Sequence, residues 1–285
     1  MLFKRHAALS LLAALAVFTG CAGASESLPA EAPATSPPAA EAPSPTASAS
    51  ASASPELVPE ASTSPTEEAP APLYRMNEVY RFVPLSDESP SRMVLLTFDD
   101  GPKNAEVVTS LLDTLDKHKA KAVFFVNGYR VKQNPELLQT IFDRGHAIGN
   151  HSYDHVDLKK EEEQTVREQI ESVQRQVEEL TGVRPKLFRP PFGSGGETVK
   201  RIAADNKLLY MTWSNGSLDW DASARNKPEV VIANVMEQLH PGANILMHEL
   251  PWTADALDEL MGKIEAEGYG FIDPETIESH GQPRD

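Results

Sequence analysis

Met93-Val94-Leu95-Leu96-Thr97-Phe98-Asp99-Asp100-Gly101-Pro102 is the stretch on which the fold turns. An apolar run closed by a Gly-Pro break reads as a buried strand ending in a sharp turn, here with two acids at its tip. Adjacent carboxylates in such a place are costly unless a cation, a proton or hydrogen bonds compensate them. Candidate cation ligands follow at His151-Ser152-Tyr153-Asp154-His155. Together the two segments imply metal-dependent hydrolysis, one Asp holding the metal and the other handling a proton.

Outward from this strand the pattern alternates. Helices are expected over 105–118, 135–144, 160–180, 197–204, 228–239 and 254–267, and strands over 122–126, 146–149, 187–188, 208–213, 244–247 and 269–272. Residues 73–83 read as an extra strand or a clasp. Such alternation predicts an α/β fold with a parallel sheet wrapped by helices, and about seven units could close into a (β/α) barrel. No internal repeat is visible.

The first part of the chain is different. Lys4-Arg5-His6 is a basic start, residues 7–18 are apolar, and Phe18-Thr19-Gly20-Cys21 resembles a bacterial lipobox. Cleavage before Cys21 and lipidation of its thiol are expected; ordinary secretory cleavage after Ala22-Gly23-Ala24 is the competing reading. Both export the protein, and a lipid would hold it at the outer face of the membrane. From Ala22 to about Leu73 the chain is rich in Ala, Pro, Ser, Thr and Glu, as in Ala47-Ser48-Ala49-Ser50-Ala51-Ser52-Ala53-Ser54-Pro55, which reads as a disordered tether. The expected organisation is a signal peptide over 1–20, a linker over 21–73 and one folded domain over 74–285. Cys21 is the sole cysteine, so no intrachain disulfide is possible, and the net charge of -16 without basic clusters argues against nucleic acid. A monomer is the default expectation.

The chemical residues fall at the C-terminal ends of predicted strands: Asp99 and Asp100, His151 and His155, Arg189, Asp219 and His248. In α/β barrels that end carries the active site. His-x-x-x-His can place two imidazoles on one face of a helical turn, and an Asp at another strand tip supplies a third ligand. Two His and one carboxylate suit zinc with open positions; a ferrous oxygenase uses the same set but normally lacks the second adjacent Asp and the downstream His. Each residue also has a plainer reading: Asp99 as a turn residue, Arg189 as a surface ion pair, His248 as a core histidine, Trp213 and Trp220 as core aromatics. For Trp213 that plainer reading is preferred. Trp252 is a candidate to stack on a sugar. His118 and His280 are expected at the surface, His240 at a helix end, and His146 as a support of its strand.

Thr97–Pro102, His151–His155, Arg189-Pro190-Pro191-Phe192-Gly193, Ser217-Leu218-Asp219-Trp220 and Leu246-Met247-His248 occur in the order seen in the polysaccharide deacetylase family, the NodB-homology group or carbohydrate esterase family 4, which 91–272 therefore resembles. The resemblance implies a distorted (β/α) barrel that removes acetyl groups from N-acetylated glycans with a divalent metal, zinc or else cobalt, nickel or manganese. It implies Asp99 as catalytic base, Asp100, His151 and His155 as metal ligands, and Arg189 as holder of the base. It further implies an oxyanion contact from the Phe192 N–H, Asp219 paired with His248 as general acid, and Trp220 and Leu246 around the acetyl methyl. One position departs: the fourth motif of the family begins with Asp, and Gly216 stands there. The missing carboxylate is expected to have helped fix the arginine or the loop. A membrane-anchored deacetylase of peptidoglycan is the expectation, with chitin-like, poly-N-acetylglucosamine or O-acetylated glycans as alternative substrates and a silent glycan-binding lipoprotein as the alternative of another class.

Overall fold

The computed structural model of the protein describes residues 70–279. The expected signal segment, Cys21, almost all of the tether and His280 lie outside the described residues. The elements run β1 (Tyr74–Met76), β2 (Phe82–Pro84), β3 (Met93–Gly101), α1 (Ala105–Lys117), β4 (Ala122–Val126), α2 (Gly128–Gln133), α3 (Pro135–Asp143) and β5 (Ala147–Asn150). They continue with α4 (Glu163–Thr181), β6 (Leu187–Phe188), α5 (Glu197–Asp205), β7 (Leu209–Tyr210), β8 (Asn215–Gly216), α6 (Pro228–Glu237), β9 (Ala243–His248), α7 (Pro251–Ala266) and β10 (Gly270–Phe271). No helix among the described residues is long and apolar enough to cross a membrane.

The strands form one parallel sheet in the order β7-β6-β5-β4-β3-β9-β8, with β10 beside the start of β3. β1 and β2 make a separate antiparallel hairpin where a strand or clasp is expected. This is the expected distorted (β/α) barrel, curved but not closed by strand pairing. Two details differ from expectation. The short helix α2 follows β4, with too few residues to show a helical period in the sequence. The strand expected over 208–213 is only the two-residue β7, and an unexpected strand, β8, follows at once at the opposite edge of the sheet. Met211 N–H still donates to Phe188 O on β6 at 2.9 Å, whereas Ser214 N–H donates to Asn244 O on β9 at 3.1 Å. The chain therefore crosses the open side of the barrel between 211 and 214, and one continuous strand could not pair with both neighbours.

Alternation along β3 sorts the two cores. Leu95 packs inside the barrel with Val123, Phe125, Leu187, Leu209 and Met211. Val94, Leu96 and Phe98 pack outside, under helices α1 and α7 through Leu111, Leu115, Leu257 and Leu260. Both faces of β3 are buried, which is why its sequence is a continuous apolar run. In α4 the residues Val166, Ile170, Val173 and Val177 recur at helical spacing and bury one stripe of an otherwise charged helix, which Gly182 ends in a left-handed conformation (φ 75°).

Gly149 on β5 leaves room for the Phe125 ring: a β-carbon there would lie 2.4 Å from Phe125 Cδ1. Gly149→Ala is expected to destabilise the domain by about 1–3 kcal/mol through overpacking, read as a thermal midpoint lowered by about 2–4 °C per kcal/mol. An unchanged midpoint would show that the barrel interior yields at this point.

Candidate active site

Neighbouring residues on a strand face opposite sides, so Asp99 and Asp100 would ordinarily diverge. The structure avoids this with a bulge. Asp99 pairs with Phe125 and Gly101 with Val126, leaving Asp100 as an extra residue with φ 68°. Both carboxylates then reach His151: its Nε2 lies 3.7 Å from Asp99 Oδ2 and 3.5 Å from Asp100 Oδ1.

His155 Nε2 lies 3.1 Å from the same Asp100 oxygen. The ligand atoms of Asp100, His151 and His155 fall within 4.8 Å of one another. The two histidines do not sit on a helical turn, as the spacing suggests. They sit on a loop bent at Ser152 (φ 64°) and His155 (φ 56°). Asn127 Nδ2–H donates to His151 O at 2.7 Å, and Asn150 Oδ1 accepts from Ser152 N–H at 3.0 Å, so two buried asparagines shape the loop.

The donor set fits a cation. His151 Nδ1 must donate to the Arg189 carbonyl, 2.6 Å away, which leaves the Nε2 lone pair facing the site. Asp100 Oδ1 is buried and accepts no hydrogen bond. Lone pairs thus converge where no donor stands between them, an arrangement a divalent ion would complete. Burial opposes ionisation of Asp100, but the two imidazoles, when protonated and donating toward it, and the charge of Lys103 outweigh burial and hold its carboxyl well below the usual range.

Arg189 is wholly buried beside this set. Its Nη1 donates to Asp99 Oδ1 at 2.7 Å and to Thr97 Oγ1 at 2.8 Å. Nε and Nη2 donate to Thr212 O at 3.1 and 2.9 Å, and Nη2 also donates to Asn244 Oδ1 at 3.0 Å. All five N–H groups therefore have acceptors, and the guanidinium lies 4.4 Å from the centre of the Phe125 ring. Burial lowers the arginine pKa and Asp99 opposes that shift. No carboxylate at position 216 is needed to fix Arg189. Gly216 itself is not constrained to be glycine: a β-carbon would make ordinary contacts with Trp213 Nε1 at 3.5 Å and Trp220 Cη2 at 3.9 Å.

Across the β3–β9 pair, His248 lies in register with Asp99. Its Nδ1–H donates to Asp219 Oδ1 at 2.7 Å, and its backbone N–H donates to Asp219 Oδ2 at 2.7 Å. Thr253 Oγ1–H also donates to Oδ2 at 2.7 Å, and Trp252 Nε1–H donates to Asp219 O at 2.8 Å. Trp252 thus ties its indole N–H to the buried Asp219 and packs, partly buried, against the outer core. Burial lowers the His248 pKa, but the bonded Asp219 and the charges of Asp99 and Asp100 outweigh it, so the net shift is upward.

The rim is aromatic. Trp220 is 46% exposed and its ring centre lies 5.2 Å from that of His248. Phe192, 65% exposed, has a left-handed backbone (φ 60°) and meets the His155 ring edge-on at 4.7 Å. Leu246 is buried, in register with Thr97 and Gly216. Trp213 is only partly buried, packed between Gly193 and Gly216. His146 lies behind the site, taking the Ala122 N–H on Nδ1 at 3.3 Å, and burial lowers its pKa to about 4. His118 is not a free surface residue: its ring bonds both Asp258 (2.9 Å) and Glu265 (3.1 Å).

Sequence reasoning passes over Asn127, Asn150, Thr212, Asn244, Thr253 and Glu249. Polar residues within or just after apolar strands, as in Ala243-Asn244-Ile245, are the one signal that could have marked some of them. Glu249 follows His248 and is 2% exposed, and burial pushes its carboxyl up to about 7 against the Lys103 N–H, which favours the charged form.

A family model described as polysaccharide deacetylase matches residues 86–211. The peptidoglycan-N-acetylglucosamine deacetylase PgdA of Listeria monocytogenes is 37% identical over 200 residues, 67% of this chain and 41% of that protein. The peptidoglycan-N-acetylmuramic acid deacetylase PdaA of Bacillus subtilis is 34% identical over 184 residues, 63% of this chain and 69% of that protein. The chain spans about half the length of some of the curated relatives it matches. Among solved structures, BA3943 of Bacillus anthracis, described as a CE4 family pseudoenzyme, aligns with a TM-score of 0.60 at 34% identity over 64% of each chain.

Asp219→Asn removes the charge that raises the His248 pKa. If His248 acts protonated, activity is lost as pH rises through its pKa, so the alkaline limb of the pH–rate profile is expected to move to lower pH. The same change is expected to cut kcat/KM at neutral pH by about 10²-fold or more. An unmoved alkaline limb would assign that limb to another group.

Proposed function

Because the chain belongs to the polysaccharide deacetylase family, carbohydrate esterase family 4, we propose that it is a metal-dependent deacetylase that hydrolyses the N-acetyl groups of a cell-envelope polysaccharide, peptidoglycan. The observation that carries this reading is the convergence of three sets on one mouth. Asp99 is held by Arg189, Asp100 meets His151 and His155, and His248 is tied to Asp219 directly across the strand pair from Asp99. The names of the relatives PgdA and PdaA support peptidoglycan as substrate.

Asp100, His151 and His155 would hold the ion, zinc or another divalent metal such as cobalt, nickel or manganese. When bound, such an ion acidifies water and polarises the acetyl carbonyl. Asp99 would take the proton from the attacking water on Oδ2, since Oδ1 is engaged by Arg189. The left-handed backbone of Phe192 would offer its N–H to the developing oxyanion, a type of donor worth roughly 3 kcal/mol. His248, with Nδ1 committed to Asp219, would give the Nε2 proton to the amine as the C–N bond breaks, leaving acetate and a free amino sugar. Trp220 and Leu246 would enclose the acetyl methyl.

We also infer export of a monomeric domain, anchored by a lipid on Cys21 and spaced from the membrane by the Ala/Pro/Ser-rich linker. The likeness to BA3943, described as a CE4 family pseudoenzyme, favours as a second reading a silent glycan-binding lipoprotein.

Acetate release from peptidoglycan fragments and from N-acetylglucosamine oligomers separates these readings. Asp99→Asn is the better kinetic control than Asp99→Ala, because it keeps an acceptor for Arg189; both remove the counter-charge of a buried ion pair, a loss of roughly 3–5 kcal/mol, so folding of each variant is checked by its thermal midpoint. Zinc-loaded protein is expected to release acetate from peptidoglycan. Asp99→Asn is expected to lose about 10²-fold or more of that rate, and a chelator to abolish it. Release from the oligomers alone would move the substrate to chitin-like glycans, and no release from either with zinc bound would favour the silent binder.

A further inference from the structure

We propose that Glu249 is a positioning residue for the metal centre, its carboxylate holding the bulge that turns Asp100 toward His151 and His155. The inference rests on the reading of those three residues as cation ligands. Because His248 stands opposite Asp99, the next residue of the chain, Glu249, comes against the bulge itself.

On the β4 side the bulge is tied by the Asn127 N–H to Gly101 O at 3.0 Å, and just after it Asn134 Nδ2–H donates to Pro102 O at 3.0 Å; on the other side Glu249 makes two contacts. Glu249 Oε2 accepts the Lys103 N–H at 2.9 Å, just after the bulge. Oε1 makes no hydrogen bond and packs over Gly101 so closely that a β-carbon there would fall 1.7 Å away. Gly101 does not have a left-handed φ, so the demand for glycine comes from this carboxylate and not from the turn. Asp99, on the other side, is fixed by Arg189. Asp100 has little to hold it: Lys103 Nζ approaches Oδ2 only to 3.5 Å, and Oδ1 accepts nothing. A non-glycine residue at φ 68° persists only when its surroundings over-determine it. Glu249, buried against Gly101, adds to that constraint from the β9 side.

A merely structural carboxylate would affect stability and leave metal affinity alone. The test is zinc affinity of the metal-free whole protein by competition with a chromophoric chelator, alongside its thermal unfolding and kcat and KM. Wild type is expected to bind a single zinc and His151→Ala to lose it. Glu249→Ala and Glu249→Asp, which cannot reach Lys103 N, are expected to weaken zinc binding by about 10-fold or more and to lower kcat with little change in KM. Glu249→Gln, which keeps the length and an acceptor oxygen, should restore most of the affinity. Gly101→Ala should weaken zinc in the wild type but add little in the Glu249→Ala background, where the carboxylate it strikes is gone. Glu249→Ala and Glu249→Asp binding zinc as tightly as wild type would overturn the proposal, whatever their melting temperatures. If Glu249→Ala does not fold, Glu249→Asp and Gly101→Ala alone decide it by the same criterion. A folded wild type that binds no zinc would overturn the metal-centre reading and this one with it.

Discussion

A fully buried guanidinium at the open side of the barrel is the constraint from which the rest of the structure follows. Arg189 cannot be left with unmatched donors in an apolar interior. Its acceptors must therefore converge from β3 (Thr97 and Asp99), from β9 (Asn244) and from the crossing segment (Thr212 O). β3 and β9 are paired with each other, but the crossing segment is not part of the ladder: β7 and β8 lie at opposite ends of the sheet, and residues 211–214 connect them. Asn244 adds a second tie, donating through Nδ2 to the same Thr212 carbonyl at 3.1 Å. One cation and one amide thus do at the seam what a ladder of backbone hydrogen bonds does elsewhere, and Asp99, which supplies the compensating charge, is aimed as a consequence.

The parts of this arrangement that were legible in the sequence are those with a period or a motif. The apolar run 93–98 announces a strand buried on both faces, and the helical stripe of 166, 170, 173 and 177 survives in a highly charged segment. The acids and histidines at strand tips are visible because barrel geometry brings all such tips to one end. What was not legible depends on pairing partners. Residues 208–213 look like one strand, and nothing local says that 211 belongs beside β6 and 214 beside β9. The spacing of His151 and His155 suggests a helical turn, yet two left-handed residues and two asparagine side chains bring the rings to a centre distance of 5.1 Å. Trp252 next to an active-site histidine invites a role in sugar stacking, but Asp219 offers a buried carbonyl and claims the indole N–H.

Three carboxylates share this mouth, and their different partners set their different duties. Asp100 faces two imidazoles with an oxygen that accepts no hydrogen bond, an environment that favours a bare anion ready to bind a cation. Asp219 is saturated by hydroxyl, backbone and imidazole donors, two of them from His248. Asp99 has one oxygen bonded to Arg189 and the other facing the site, half committed and half available. Separation of roles among like groups by environment, and not by residue type, is how a single site can run both acid and base chemistry at one pH.

The same reasoning disposes of the oddity at position 216. A side chain there would start out against Trp213 and Trp220, and Arg189 has acceptors for all its donors without it. The Thr212 carbonyl accepts from two nitrogens of Arg189 and Asn244 takes its last donor, both as neutral groups. The site therefore keeps its charge balance with a glycine, and the space that opens is bounded by Trp213 and Trp220. A departure from the family motif is thus absorbed by backbone and amide dipoles, leaving the groups assigned to proton transfer and metal binding in contact with one another.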